Sequence, residues 1–298
     1  MEVSSQGLKY DRVLGLDLNV AAITNIGVDH IAPVEHPTLE DYVSSKFKIS
    51  ELTNNLVIAK HLPLCENTEK LCMAAMNDLM SKNVTYFDVP TPPLNLQLLG
   101  NTNQRNADCA LKICEVLGVD EDAATKAICN TKVPGRMEVF KSKDGCLVGV
   151  VDYAHTLESY ELFFHDIKAQ FPEHFTIAYF GVSGGKALQR YADLPQTAAK
   201  YCDYLLITSD DPGTEDPAEV VEKCAANVPR TVPFAKVVSR DAACDRAFEL
   251  AEEKIAAGKK VCVCALGKGN ESVCVCSASD IPIVPDSENV KRHVQAHE

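Results

Sequence analysis

Val133-Pro134-Gly135-Arg136-Met137-Glu138-Val139-Phe140, followed after a short break by Val148-Gly149-Val150-Val151-Asp152-Tyr153-Ala154-His155-Thr156, decides how this chain folds. Pro134-Gly135 ends any preceding helix, because proline lacks an amide hydrogen and glycine accepts a left-handed backbone. Residues 137–140 and 147–151 then read as two short strands around the turn Lys143-Asp144-Gly145. The second strand is almost wholly apolar and breaks off abruptly into polar residues. Parallel strands are buried on both faces, and ligands gather beyond their carboxyl ends. The stretch thus marks a site in an α/β fold. Taken alone, it is equally a hairpin whose Asp152 caps the next helix.

Working outward, Leu157–Gln170 reads as a helix and 176–180 as a buried strand. Strand and helix then alternate at 204–208, 218–226, 236–238, 242–257 and 260–266. That rhythm predicts a mostly parallel sheet with helices on both faces, and Asp286-Ser-Glu-Asn-Val290 begins a closing helix. Upstream, 21–26 reads as a strand ending in Thr24-Asn25. Thr38 and Asp41 form a loose capping box before a helix that carries Tyr42 and Lys46, four apart on one face. Residues 54–60 and 84–89 read as strands around a helix at 66–81, with Leu71, Ala75 and Leu79 on one side. Pro90, Pro92 and Pro93 break the pattern. A helix then starts at Asn101-Thr-Asn103-Gln-Arg-Asn106 and runs towards Val119, and another spans 121–131.

A length of 298 residues suggests two domains. A net charge of -13 argues against nucleic acid or an anionic membrane surface as main partner, while leaving room for a small anionic substrate. No apolar run has the length of a membrane span and no signal peptide opens at Met1, so a cytoplasmic protein is expected. Thirteen Cys without export signals read as reduced thiols. Cys262-Val-Cys264 and Cys274-Val-Cys276 suit strands whose thiols share a core face better than a structural zinc site, which uses longer spacings.

Pro134-Gly-Arg136-Met-Glu-Val-Phe140 together with Val151-Asp152-Tyr-Ala-His155-Thr156 resembles the Mur ligase family. Within it, the match is to ligases that add the third amino acid to UDP-N-acetylmuramoyl-L-alanyl-D-glutamate in peptidoglycan synthesis. The resemblance implies a partial central ATPase domain at 1–133 and a Rossmann-like C-terminal domain at 134–298. It also implies ATP and Mg²⁺ as cofactors and a carbamylated lysine. In the family, the stretch matching Met1-Glu2-Val-Ser4-Ser-Gln-Gly-Leu8 follows a P-loop, yet no G-x-x-x-x-G-K-[ST] occurs in this sequence. Gly181-Val-Ser-Gly-Gly-Lys186-Ala lacks both the spacing and the hydroxyl. The expectation is therefore a portion of a ligase, monomeric if complete, with apolar surface exposed where sheet strands are missing.

The resemblance assigns residues one by one. Glu2 and His30 fall on metal positions, with Asp29 beside His30. Lys46 falls on the lysine whose carbamate supports the metal. Asn103 and Asn106 lie where an Asn touches adenine, and Arg136, Asp152 and His155 fall in the nucleotide segment. Ser4 and Arg12 match contacts to the UDP-muramoyl dipeptide, while Lys186 and Arg190 align loosely with a substrate-binding turn. Asp210-Asp211-Pro212-Gly213 replaces the Asp-Asn-Pro-Arg of diaminopimelate-adding members. Gly213 removes the carboxylate-pairing Arg, so an acidic locale favours L-lysine or a similar diamine. Gly267 and Glu271, in Gly267-Lys-Gly-Asn-Glu271, match positions that hold the incoming amino acid. Without the resemblance, His30 is a structural histidine, Lys46 a solvated helix lysine, and Asn103 and Asn106 ordinary caps. Two other readings stay open: a folylpolyglutamate synthase-like ligase, and a non-catalytic binding module.

Overall fold

The first apolar runs assemble into a small parallel sheet in a computed structural model of the chain, which describes residues 1–28, 31, 35–62, 66–185 and 188–297. Ser4 opens α1 (Ser5–Lys9), its Oγ accepting from the Gly7 amide at 3.0 Å. After β1 (Ala21–Ile23), Thr38 caps α2 (Leu39–Phe47) by accepting from the Asp41 amide at 3.2 Å. The other half of the expected capping box does not form, because the Asp41 carboxylate turns to His36 and Lys9 instead. β2 (Asn55–Ala59), α3 (Glu66–Asn77), β3 (Asn83–Phe87), α4 (Asn101–Val116) and α5 (Glu121–Cys129) follow. The strands run parallel in the order β1-β2-β3. Ile23, Leu56, Ile58 and Phe87 meet Tyr42 and Phe47 of α2 and Cys72 of α3 in one core, with Leu71, Ala75 and Leu79 as the helical spacing predicts. Leu14, Met73 and Met80 stand largely exposed.

The second half begins with the antiparallel pair β4 (Glu138–Lys141) and β5 (Leu147–Asp152), joined through the predicted Lys143-Asp144-Gly145 turn. Thereafter come α6 (Leu157–Gln170), β6 (Phe175–Phe180), α7 (Arg190–Tyr201), β7 (Tyr204–Ile207), α8 (Pro217–Ala225), β8 (Phe234–Lys236), α9 (Arg240–Ala256) and β9 (Val261–Leu266). A two-residue antiparallel pair, β10 (Val273–Cys274) and β11 (Ile281–Pro282), precedes α10 (Asp286–Ala296). The six-stranded sheet has the order β4-β5-β9-β6-β7-β8 and is parallel except at β4. Contacts divide the chain into Met1–Gln97 with Asn101–Thr131, and Leu98–Gly100 with the residues from Lys132 onward.

β9 shows why this sheet is so readable. Cys262, Cys264 and Leu266 face the core under α6, α7 and α8, while Val261, Val263 and Ala265 face the core under α9 and α10. Both faces are covered, so the strand is apolar throughout. Cys262 and Cys264 are core thiols 3.8 Å apart, and burial pushes the Cys264 thiol well up. β8 lies two residues before its expected place.

α10 is fastened at its end by His297, whose Nδ1 meets Glu252 of α9 at 2.6 Å and whose Nε2 meets Asp144 of the β4–β5 turn at 3.4 Å. Burial lowers the imidazole pKa, but the hydrogen bond and charge of Glu252, then Asp144, outweigh it and raise the pKa. A raised histidine pKa stabilises the fold fully below about pH 6.5 and loses that contribution as pH rises through the folded value. Melting temperatures of His297→Gln should therefore fall below wild type at pH 5 and converge with it by about pH 8–9. Equal deficits at both ends would show that the ion pairs are not responsible.

Candidate functional site

Beyond the carboxyl ends of β5, β9, β6 and β7, four loops converge in the second unit. At the end of β5 the Asp152 carboxylate accepts from two amides, Met137 at 2.8 Å and Ala154 at 2.8 Å. It thereby pins the segment before β4, where Met137 is buried at a left-handed φ of 43°. Burial raises the Asp152 pKa, and the two amides and Arg136 pull the other way. Arg136 itself is exposed, its guanidinium 4.5 Å from the Tyr153 ring centroid. His155 is exposed too, its Nδ1 donating to the Tyr153 carbonyl at 2.8 Å.

Gly135 packs directly on the turn after β9. A Cβ there would come within 2.6 Å of the Asn270 amide nitrogen and 2.8 Å of Gly269, at a φ of 72°. The Pro134-Gly-Arg136 and Gly267-Lys-Gly-Asn-Glu271 motifs are therefore in backbone contact. Gly135→Ala combines a left-handed alanine with an overpacked junction and should cost roughly 2–5 kcal/mol. Urea titration checks this; a cost below about 1 kcal/mol would mean that the two turns part without penalty.

Lys268 is the centre of the converging loops. It is 1% exposed, its Nζ donating to Asp211 Oδ1 at 2.8 Å and pairing with Glu271. Glu271 also accepts from the Tyr153 hydroxyl at 3.0 Å, and burial with this bond pushes the Tyr153 pKa up to about 12. Asp211 accepts a second bond from the Val275 amide at 2.7 Å. Asp210 is 6% exposed, and burial raises its pKa against the pull of Arg240 and Lys268. The acidic locale read from Asp210 and Asp211 is thus partly neutralised from within. Gly213 links its backbone to Val275 and Ser277 and places no side chain there. The Pro212 carbonyl accepts from the Glu215 amide at 3.0 Å within the loop after β7, and Arg190 opens α7.

Within the first unit, Glu2 and Arg12 are exposed, and the Arg12 guanidinium lies 5.9 Å from the Tyr10 ring centroid. Ser4 is the α1 cap described above. Lys46 holds its ammonium 5.2 Å over the Tyr42 ring, as their four-residue spacing predicts. Asn103 and Asn106 lie inside α4, three apart on one face, rather than at its cap. Between them Gln104 bonds the Leu94 amide and carbonyl, both at 2.8 Å. His30, Asp29 and Lys186 lie outside the described residues. Among the described residues, no group of three His, Cys, Asp or Glu side chains is placed to hold a metal.

Two family models match: the Mur ligase middle domain over residues 1–86, and the Mur ligase glutamate ligase domain over residues 135–269. The chain belongs to the Mur ligase family. An Enterococcus faecalis UDP-N-acetylmuramoyl-L-alanyl-D-glutamate–L-lysine ligase is 30% identical over 84% of this Mur ligase chain and 54% of its own length. A Streptococcus pyogenes protein of the same description is 30% identical over 99% of the chain and 62% of its own length. The chain thus spans little more than half the length of these relatives. Of solved structures, a UDP-N-acetylmuramoyl-L-alanyl-D-glutamate–2,6-diaminopimelate ligase shares the fold at 22% identity, with a TM-score of 0.54 over 99% of the chain and 64% of that protein. A Mycobacterium tuberculosis folylpolyglutamate synthase shares it at 17% identity, with a TM-score of 0.66 over 84% and 61%.

Sequence reasoning missed Lys268, Tyr153 and Arg240 among these converging loops. Lys268 stood inside a quoted motif, but no local pattern announces that a lysine is buried.

Proposed function

We propose that these domains serve an ATP-dependent carboxylate–amine ligase that adds L-lysine, or a similar diamine, to UDP-N-acetylmuramoyl-L-alanyl-D-glutamate. The observation that carries this is the convergence of the Pro134-Gly-Arg136, Asp152, Asp210-Asp211 and Gly267–Glu271 segments on one edge of the sheet, in a chain whose curated relatives are described as L-lysine-adding. ATP with Mg²⁺ would supply the phosphoryl group that activates the D-glutamate γ-carboxylate as an acyl phosphate, from which the incoming amine displaces phosphate.

The exposed Arg136 guanidinium, held over the Tyr153 ring, fits a nucleotide phosphate or base, and Asp152 fixes the turn that presents it. Asn103 and Asn106 would meet adenine from α4, and His155 completes the nucleotide set. Ser4 and Arg12 would contact the UDP-muramoyl dipeptide. Asp211, Gly213, Gly267 and Glu271 would surround the amino acid, with Asp210 and Pro212 shaping the loop and Arg190 near the carboxylate. Glu2, His30 and a carbamate on Lys46 would hold Mg²⁺. The Tyr42 face favours the Lys46 ammonium, so carbamylation there trades this contact for a metal bond. A cytoplasmic setting follows from this substrate; among the described residues no helix is long and apolar enough to cross a membrane.

The test is phosphate release with product mass. It is run on the 298-residue chain and on that chain joined in frame to any coding sequence upstream, each with ATP, Mg²⁺, UDP-muramoyl-dipeptide and either L-lysine or diaminopimelate. A lysine adduct is expected. Diaminopimelate addition would overturn the reading of Gly213, and no adduct from either form would favour the binding-module reading.

A further inference from the structure

Ser5, His36, Asp41 and Lys9 form a hydrogen-bonded chain in the first unit that the proposed site does not use. His36 is fully buried, its Nδ1 2.7 Å from Asp41 Oδ2 and its Nε2 2.9 Å from Ser5 Oγ. Lys9 Nζ donates to the same Asp41 oxygen at 2.7 Å and to the Glu35 carbonyl at 2.9 Å. Bonds from Lys9, then His36, hold the Asp41 carboxyl below the usual carboxylate range. In the neutral imidazole a carboxylate at Nδ1 places the proton on that nitrogen, which donates, and Nε2 accepts from the Ser5 hydroxyl. The array therefore has a direction, from Ser5 through His36 to Asp41. Ser5 is only 7% exposed, so the array is not an accessible nucleophile with its base.

What it joins is more telling. Ser5 is the first residue of α1, next to Ser4 and three residues from Glu2. Asp41 is in the first turn of α2, whose Tyr42 ring meets His36 edge-on at 5.3 Å and carries Lys46 on its face. A five-residue helix has little stability of its own and takes its position from tertiary bonds. A hydrogen-bonded array centred on a buried imidazole, with Asp41 and Lys9 at its partly exposed end, supplies such bonds with a defined geometry. We propose that His36 is a positioning residue that locks the start of α1, with Glu2 and Ser4, to the Tyr42–Lys46 face of α2. This rests on the ligase reading, in which Glu2, Ser4 and Lys46 face metal and substrate.

The experiment uses whichever form of the chain yields the lysine adduct. Ser5→Ala is expected to lower kcat about tenfold, the effect of one lost hydrogen bond, while the melting temperature falls by only a few degrees. Ser5→Ala with Asp41→Asn should be no worse than Asp41→Asn alone, because both act through one imidazole. Nitrogen-15 NMR reads the array without activity: the Nδ1–H tautomer in wild type and Ser5→Ala, a mixture in Asp41→Asn. Additive kinetic losses, or wild-type kcat in Ser5→Ala, would overturn the inference and leave the ligase reading standing. A wild-type chain that makes no adduct overturns both.

Discussion

Replacing Arg240 by Met should remove about 3–5 kcal/mol of stability, a large share of what a domain has. Arg240 is 2% exposed and grips Asp286, itself 1% exposed, through Nε to Oδ1 at 3.0 Å and Nη2 to Oδ2 at 2.6 Å. Its remaining donors reach the Ser209 carbonyl at 3.1 Å and the Leu266 carbonyl at 2.7 Å. One side chain on α9 thereby ties the segment after β7, the end of β9 and the start of α10. Burial works against its charge, but Asp286 at contact more than offsets this and raises the pKa further. Met fills similar volume yet leaves a buried carboxylate and two carbonyls without these donors. The Tyr179 hydroxyl, donating to Asp286 at 3.1 Å, is too weak to replace a guanidinium. Urea unfolding followed by circular dichroism measures the cost. Adding Asp286→Leu should restore part of it, since removing both charges avoids the orphaned one. A single variant costing less than about 1 kcal/mol, or a double variant worse than the single, would show that the pair does not hold these loops.

The same residue shows where sequence reasoning stops. The second unit's framework is legible because physics there is local: β9 is apolar on both faces, α6 begins at a Thr156–Ser159 capping box, and Pro217 follows the Asp216 cap of α8. Pro134-Gly135 and Asp152 mark the site for the same reason. α7 is harder to read because Pro195 is a helix breaker in most contexts, yet the helix runs through it with Leu194, Pro195 and Ala198 buried. β8 slipped by two residues because its three residues carry no alternating pattern. Arg240 and Lys268 look like surface cations; Asp286 and Asp211, which they grip, lie 46 and 57 residues away in sequence, so only the folded chain brings these pairs together. His36 and Ser5 are 31 apart and equally hidden. The resemblance implies a nucleotide contact at Asp152; in the structure its carboxylate accepts from the Met137 and Ala154 amides.

Lys268→Met should do the most damage to amine transfer. The ammonium is the cation that joins the loop after β7 to the turn after β9, through Asp211 and Glu271. Both carboxylates are partly exposed, at 30% and 42%, so solvent softens the loss to stability. Position is another matter. Without Lys268, Asp211 and Glu271 repel each other beside buried Asp210, and the loops proposed to flank the incoming amine move apart. Displacements of about 1 Å cost on the order of 100-fold in a reaction that depends on proximity. The expected outcome is therefore a fall of about 100-fold in kcat/KM for L-lysine, with the KM for ATP little changed, because the Arg136–Asp152 turn stays anchored. A second readout separates charge from packing. Without Lys268 the pull that this ammonium exerts on the buried Asp210 carboxyl is lost, that carboxyl's pKa rises further, and the variant's stability deficit should shrink as pH falls and the carboxyl protonates. A deficit independent of pH would assign Lys268 to packing alone, and unchanged lysine kinetics would mean that these loops do not position the amine.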